Sequence, residues 1–583
     1  MIAALERIRT TCTFCRFGCE LEIVRRGRSI TGVEYPGDSP VSGGRLCARG
    51  SASALLLDHP MRLGYPLKDG RERTWPGFFA EAGPIIRDCP SNELAVTYDR
   101  NLTQEELELV WGFAGKMGTE KLASADLEAE AHFQAGAGPL RRLDEKRKGE
   151  LAHRAGLRAS LDDIARAETI LVVGDVFGVM PVIAKPILDA RYADRSRRLF
   201  YLDSVKSRVA GFAHRFLWVR PGTEPLVLLA LAGLADRKLS GFDPDAVADC
   251  AGVKAGDLRE VASAFAKPKR GLVVATMQSG RVTDPKFMAA ALELLVLRLK
   301  GAKKLLFASE TGIPAGKIGF GKVLAGIEQG EIKVLVNFGE RFPFDYPMLG
   351  NRLQGLKLMI TTATLRPRAA IPGWVLPVPL NLEKGGTVGT LWGTASLVPA
   401  AEPVSGSRPI ERIIEGITGS AAVRAEIPER TALPGRATKA ITDQGRAMLK
   451  KHCGVRGGGL AHPAECGTTE SEKPGFPFVV LAEKPAYDFL GIFAKEAGRV
   501  TIHPQDAAEQ GVGDGSPLKI ETASGRQAEL KTRISEKGAS LHQVKPGLLL
   551  VNANDRLARA LFELEIDPES GIATIAPVRG RIL

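Results

Sequence analysis

Cys12-Thr13-Phe14-Cys15-Arg16-Phe17-Gly18-Cys19, answered by Gly43-Gly44-Arg45-Leu46-Cys47-Ala48-Arg49-Gly50, is the pair of segments on which the reading of this chain turns. The spacing is C-x2-C-x3-C-x27-C. Three thiols fit in one tight loop, and the fourth arrives from a distance to close the site. Four thiolates can hold a [4Fe–4S] cluster, one sulfur to each iron. Zinc is the rival occupant, but structural zinc usually takes two paired knuckles rather than three cysteines plus one. Disulfides fit less well, because no secretory signal precedes the motif. Between the two segments, Glu20–Glu34 alternates around Arg26-Gly27 and predicts a hairpin that returns the chain to the first three cysteines.

The chain has 583 residues, several domains' worth, with 44% hydrophobic and 25% charged residues, as expected of a globular protein. Apolar runs long enough to span a membrane are lacking. The segment before Cys12 is too short for a signal peptide and carries no twin-arginine leader, so a cytoplasmic location is expected. The net charge of +12 raises the question of nucleic acid, yet aromatics are only 6% and no basic block interleaves with them. A polyphosphate cofactor, an acidic partner or a solvated basic surface accounts for the charge instead. Cys89 and Cys250 read as buried free thiols. His452, Cys453, His462 and Cys466 match no convincing zinc spacing.

Further along, Ser51–Asp58 reads as a short apolar helix ended by His59-Pro60, and Trp75–Arg87 as another. Leu94–Tyr98 reads as a strand, and Thr103-Gln-Glu-Glu106 as a capping box opening a helix. Continuous apolar strands then recur at 170–174, 199–203, 271–276, 332–337 and 358–361, with helices between them. That alternation argues for parallel α/β sheets covered on both faces. Ligands in such sheets sit at the carboxyl ends of strands, which makes Gly174-Asp175, Asp203-Ser204 and Asn337-Phe338-Gly339 candidate contacts. Residues 408–450 read as a helical stretch, followed by a Gly-rich linker. Short strands at 478–482, 499–502, 517–522 and 528–532, with a helix near 506–511, indicate a compact β-barrel.

These pieces, in this order, resemble the molybdopterin oxidoreductase superfamily, which includes formate dehydrogenase catalytic subunits and the large iron–sulfur subunit of NADH–quinone oxidoreductase. The likeness rests on the cysteines running into Leu46-Cys47-Ala48-Arg49-Gly50 and His59-Pro60-Met61-Arg62, and on Gly174-Asp175, Asp203-Ser204 and Pro221-Gly222-Thr223-Glu224. It continues through Glu383-Lys384-Gly385-Gly386-Thr387, His503-Pro504-Gln505-Asp506, Asn552 and Asp567-Pro568-Glu569-Ser570-Gly571. It implies a multidomain α/β fold: a [4Fe–4S] domain over 1–67, interleaved dinucleotide-type α/β domains over 68–397, a helical stretch and linker over 398–475, and a dinucleotide-binding β-barrel over 476–583. It further implies Cys12, Cys15, Cys19 and Cys47 as cluster ligands and Arg49 as a basic electron relay between cluster and pterin. Gly174, Asp175, Asp203, Pro221, Gly222, Thr223, Glu383, Gly386, Thr387, Asp506, Asn552 and Gly571 become contacts for a molybdopterin guanine dinucleotide with molybdenum or tungsten. Turn glycines let backbone N–H groups approach phosphates, and a strand-end Asp accepts hydrogen bonds from guanine or ribose.

The metal ligand of catalytic members departs from the pattern. Residues 120–169 contain no cysteine, and only Asp126, Glu128, Glu130 and His132 offer polar groups where one is expected. A missing thiolate argues against a formate-dehydrogenase-like site. The expectation is therefore an iron–sulfur oxidoreductase subunit passing electrons between iron–sulfur or flavin partner subunits. The alternatives are a molybdenum or tungsten enzyme with a non-cysteine ligand, and a scaffold with a structural cluster.

Overall fold

The computed structural model describes residues 4–126, 159–236, 239, 241–266, 270–278, 280–299, 302–308, 316–340, 342, 349, 353–367, 371–427, 443–448, 475–483, 498–535, 542–552, 555–566 and 573–583. The chain opens with an antiparallel sheet of β1 (Leu5–Thr11), β2 (Glu20–Arg26) and β3 (Ser29–Glu34). β2 and β3 are the hairpin the alternation predicts, turning at Gly27 with φ +60°. β1 is a strand the sequence did not announce, since its first three residues are exposed and show no apolar alternation. Cys47 stands at the N-cap of α1 (Ala48–Ser51), and a 3-10 turn over Ser53–Leu56 follows.

The chain continues through β4 (Leu67–Lys68), β5 (Arg71–Glu72), α2 (Trp75–Arg87), β6 (Leu94–Tyr98), α3 (Gln104–Lys116) and β7 (Leu122–Ser124). The capping box of α3 is complete: the Thr103 hydroxyl accepts from the Glu106 N–H at 3.2 Å, and the Glu106 carboxylate accepts from the Thr103 N–H at 2.9 Å. An inserted α/β unit follows. It contains β8 (Thr169–Val173), α4 (Val176–Val179), β9 (Arg198–Asp203), β10 (Lys206–Ser207), β11 (Arg215–Trp218), α5 (Glu224–Ala235), β12 (Gly271–Ala275), α6 (Pro285–Arg298) and β13 (Ala302–Phe307). The chain then returns with β14 (Val334–Phe338), β15 (Leu358–Ala363), β16 (Trp374–Pro377), the hairpin β17 (Gly386–Thr390)–β18 (Gly393–Leu397), and α7 (Ile410–Thr418).

Two parallel sheets result. The inserted unit makes a five-stranded sheet in the order β11-β9-β8-β12-β13. The flanking segments interleave into a seven-stranded sheet, β5-β4-β16-β15-β14-β6-β7, parallel from β16 to β7. Every residue of β6, β8, β12, β14 and β15 is buried. Helices cover both faces, which is why these strands read as unbroken apolar runs. α5 and α6 are buried almost all round and pack within one core with β8, β9 and β12.

Past α7 the chain departs from expectation. Gly419, at φ +69°, caps α7 in the left-handed region, and residues 419–427 run without helix. Among the described residues, the predicted helical stretch over 408–450 consists of Ile410–Thr418 and a second helical segment at 443–448. Cys250 is disulfide-bonded, where the sequence reading has a free thiol. The last part holds β19 (Phe478–Glu483), β20 (Arg499–Ile502), α8 (Pro504–Glu509), β21 (Pro517–Thr522), β22 (Gln527–Ile534), β23 (His542–Gln543), β24 (Leu548–Asn552), β25 (Leu564–Ile566), β26 (Ala573–Ile575) and β27 (Val578–Ile582). Six of these strands close a barrel in the order β19-β24-β20-β22-β21-β27. β10 and β23 pair across the gap, Lys206 with Gln543 and Ser207 with His542, and stitch the five-stranded sheet to the barrel. No described helix is long and apolar enough to cross a membrane.

Candidate iron–sulfur site

The Cys12–Cys19 loop is closed by a hydrogen bond from the Cys12 N–H to the Cys19 carbonyl at 2.8 Å. Within it Arg16 (φ +57°) and Gly18 (φ +83°) turn the chain sharply enough to aim three thiols inward. The β17–β18 hairpin locks the loop from outside. Arg16 Nε donates to the Gly389 carbonyl at 2.7 Å, the Leu391 N–H to the Arg16 carbonyl at 2.8 Å, and Phe17 meets Trp392 edge-on at 5.5 Å. Cys12, Cys15 and Cys19 are buried and Cys47 is partly so; all four are free thiols.

The four converge. Burial pushes the Cys12 and Cys19 thiols well above the usual range, and the other cysteines of the set push them further; Arg49 works weakly the other way on Cys12. Burial and mutual repulsion disfavour the thiolate forms of this set unless a polynuclear cation neutralises them, so three buried cysteines and the half-buried Cys47 fit an iron–sulfur cluster. Among the described residues, no three His, Cys, Asp or Glu groups close to the geometry of a single metal ion.

Arg49 lies on α1, two residues beyond Cys47, and is 3% exposed. Its Nη2 donates to the carbonyls of Gly178 and Val179 at 3.0 and 2.7 Å. These are the end of α4, which Asp175 caps by accepting the Gly178 N–H at 3.0 Å. The Cys47 segment is thereby seated near the carboxyl end of β8.

At the carboxyl end of the seven-stranded sheet a cavity opens beside the cluster loop, lined by Cys12, Thr13, Asp99, Asn101, Glu340 and Lys384 among others. Asp99 is fully buried and accepts the N–H groups of Asn101 and Glu340, each at 2.9 Å. Sequence reasoning missed Asp99, although it directly follows β6 much as Asp203 closes β9. The flagged Asn337 is spent inside the sheet, donating to the Gly339 carbonyl at 2.6 Å and to Thr361 Oγ1 at 2.7 Å.

The carboxylates that the resemblance assigns to a guanine dinucleotide are likewise held by the chain itself. Asp203 Oδ1 takes Arg281 Nη2 at 2.5 Å. Both oxygens of Glu383 take Arg62 Nη2 at 2.6 Å, and Asp506 accepts the Gly547 N–H at 2.8 Å. The Thr387 N–H goes to Glu105 at 2.8 Å, and the Thr223 hydroxyl to the Arg220 carbonyl at 2.7 Å. Gly174 and Gly222 have φ of +76° and +83° and serve as turns, and Pro221 is buried beside the latter. Gly386 (φ +138°) starts β17, and Asn552 ends β24 opposite Glu483. Gly571 and its motif lie outside the described residues, as do Glu128, Glu130 and His132. Asp126 is buried, and its Oδ2 accepts the Arg100 N–H at 3.0 Å. Asp203, Glu383 and Asp506 are occupied by internal partners and do not fit a guanine dinucleotide at these three positions, whereas Asp175 accepts the Gly178 N–H on Oδ1 and keeps Oδ2 buried without a hydrogen-bond partner.

A thiol cradle on a small antiparallel domain, two interleaved parallel sheets and a closed barrel together define an iron–sulfur protein of the molybdopterin-enzyme fold. The Molybdopterin oxidoreductase Fe4S4 domain family matches residues 5–59. The NADPH-Fe(3+) oxidoreductase subunit alpha of Geobacter sulfurreducens is 24% identical over 94% of this chain and 71% of its own length. The formate dehydrogenase 2 subunit alpha (cytochrome c-553) of Nitratidesulfovibrio vulgaris is 23% identical, over 38% of this chain and 23% of its own. Acetylene hydratase from Pelobacter acetylenicus superimposes with a TM-score of 0.69 at 14% identity, covering 98% of this chain and 99% of that one. The chain belongs to the molybdopterin oxidoreductase superfamily.

Proposed function

We propose that the chain is an iron–sulfur subunit that passes electrons between partner subunits of a redox complex, with Cys12, Cys15, Cys19 and Cys47 holding a [4Fe–4S] cluster. The observation that carries this reading is the convergence of four free cysteines, three of them buried and Cys47 half-buried, in a setting where thiolates need a cationic centre to neutralise them. When bound, the cluster supplies a one-electron centre. The chain's residues do the rest. The β17–β18 hairpin fixes the loop, Phe17 and Trp392 shield it from water, and Arg49 places a buried positive charge beside it. The extended likeness to an NADPH-Fe(3+) oxidoreductase subunit alpha supports a role beside other redox subunits, such as iron–sulfur or flavin proteins. A cytoplasmic location and the division at residues 67, 397 and 475 belong to the same proposal.

A second reading, a molybdenum or tungsten enzyme, draws on the cavity between Cys12 and the carboxyl end of the seven-stranded sheet. Iron, molybdenum, tungsten and pterin are measured on anaerobically purified protein, beside Cys47→Ala. About four irons without the others, and a reduced-state EPR signal lost in the variant, support the electron-transfer reading. Stoichiometric molybdenum or tungsten with pterin supports the enzyme. Unchanged iron and EPR in Cys47→Ala remove the cluster assignment.

A further inference from the structure

We infer that the chain closes the carboxyl-end crevice of its five-stranded sheet with its own guanidinium: Arg281 stands on Asp203 in the place of a guanine base, so this end of the protein takes no guanine dinucleotide. The inference is independent of whether the thiols hold iron.

The chemistry of the substitution is direct. Guanine offers a carboxylate two adjacent N–H donors from one planar edge, and a guanidinium offers the same kind of fork with a charge added. Asp203 ends β9 and is 4% exposed; Arg281 is 5% exposed. Arg281 Nη2 reaches Asp203 Oδ1 at 2.5 Å, while the Val205 N–H and the Tyr201 hydroxyl approach the same carboxylate at 3.3 and 3.4 Å. A base could reach Asp203 only by displacing a buried ion pair.

The placement of Arg281 is built into the backbone. Gly280, its neighbour, donates its N–H to the carbonyl of Ile575 on β26 at 2.7 Å and accepts the N–H of Ala482 on the barrel strand β19 at 2.9 Å. Gly280 has φ +78°, and a Cβ there would meet the Ala482 Cβ at 2.6 Å. The segment is thus clamped between sheet and barrel with the guanidinium directed at β9. The rim is closed as well. His542 bonds Glu483 through Nδ1 at 2.7 Å and stands 3.9 Å from Asp175 through Nε2, and β10 pairs with β23 beside it. Arg281 Nη1 and the side-chain amide of Gln278 are buried polar atoms without a hydrogen-bond partner here. Truncating Arg281 would therefore open a buried space beside a freed carboxylate.

The test titrates the full-length protein with GMP by calorimetry, as native chain, Arg281→Ala, and Arg281→Ala/Asp203→Asn. The expected result is binding at least about tenfold tighter in Arg281→Ala than in the native chain, with the gain removed by Asp203→Asn. A folded Arg281→Ala that binds no tighter than native overturns the inference. If the substitutions unfold the protein, the native chain decides alone through amide exchange with millimolar GMP. Unchanged exchange over residues 198–207 upholds the closure, and protection there overturns it.

Discussion

Arg49 Nη2 lies 2.7 Å from the carbonyl oxygen of Val179, so the residue two places after Cys47 is the one that ties the Cys47 segment to the second sheet. Replacing it with alanine strips partners from the Gly178 and Val179 carbonyls and removes a buried positive charge that acts on Cys12. We expect Arg49→Ala to retain its iron and to lose about 1–3 kcal/mol of stability. The cluster potential should also fall, by an amount on the order of tens of millivolts, because a positive charge favours the reduced state. Redox titration followed by EPR checks this; an unchanged potential would leave Arg49 a purely structural contact.

Removing the iron should expose the cost of gathering four thiols. Burial and mutual repulsion raise the Cys12 and Cys19 thiols, so the apoprotein carries them protonated at pH 8. After chelation, alkylation by iodoacetamide should be slower at these two positions than for glutathione, and should accelerate only at strongly alkaline pH. Peptide mass spectrometry reads each site. Rapid labelling at pH 8 would show that the cradle opens without metal.

The cluster motif, the strands and the barrel were legible because each is local. The Cys12–Cys19 triplet, the apolar runs at β6, β8, β12, β14 and β15, and the Thr103–Glu106 box each sit within a few residues, and Cys47 is marked by its own short motif. What the sequence hid is pairwise and distant. Arg281 lies 78 residues from Asp203, and Arg16 lies 373 residues from the Gly389 carbonyl that fixes it. Carboxylates such as Asp203 and Glu383 look the same in sequence whether they face a ligand or an arginine of the same chain. Asp99 was readable in principle, since it directly follows a buried apolar strand, just as Asp203 ends one and Asp175 lies two residues beyond another.

Gly174 gives a backbone test of the seat that Arg49 uses. At φ +76° an alanine is strained, and its Cβ would meet the Thr276 carbonyl oxygen at 2.8 Å. We expect Gly174→Ala to destabilise the five-stranded unit by about 1–3 kcal/mol. The loop carrying Asp175 and the Gly178 and Val179 carbonyls should shift with it. Protection of residues 174–180 in amide exchange should fall, and wild-type protection would show that the turn relaxes without strain.

His542 makes the junction between barrel and five-stranded sheet sensitive to pH. Burial works against its charge, but Glu483 and then Asp175 outweigh that and carry its pKa up to about 9. Arg281 faces it as well and opposes the shift. A histidine whose folded pKa is raised stabilises fully below its unfolded value near 6.5, and the contribution is lost as pH rises through about 9. The upper bound is about 3 kcal/mol, since one pKa unit corresponds to about 1.4 kcal/mol. His542→Gln should therefore melt well below the native protein at pH 6 and close to it at pH 10. Melting curves across that range decide the matter: a gap independent of pH would mean that His542 acts by packing alone, and a gap that widens with pH would mean that the histidine is neutral in the fold.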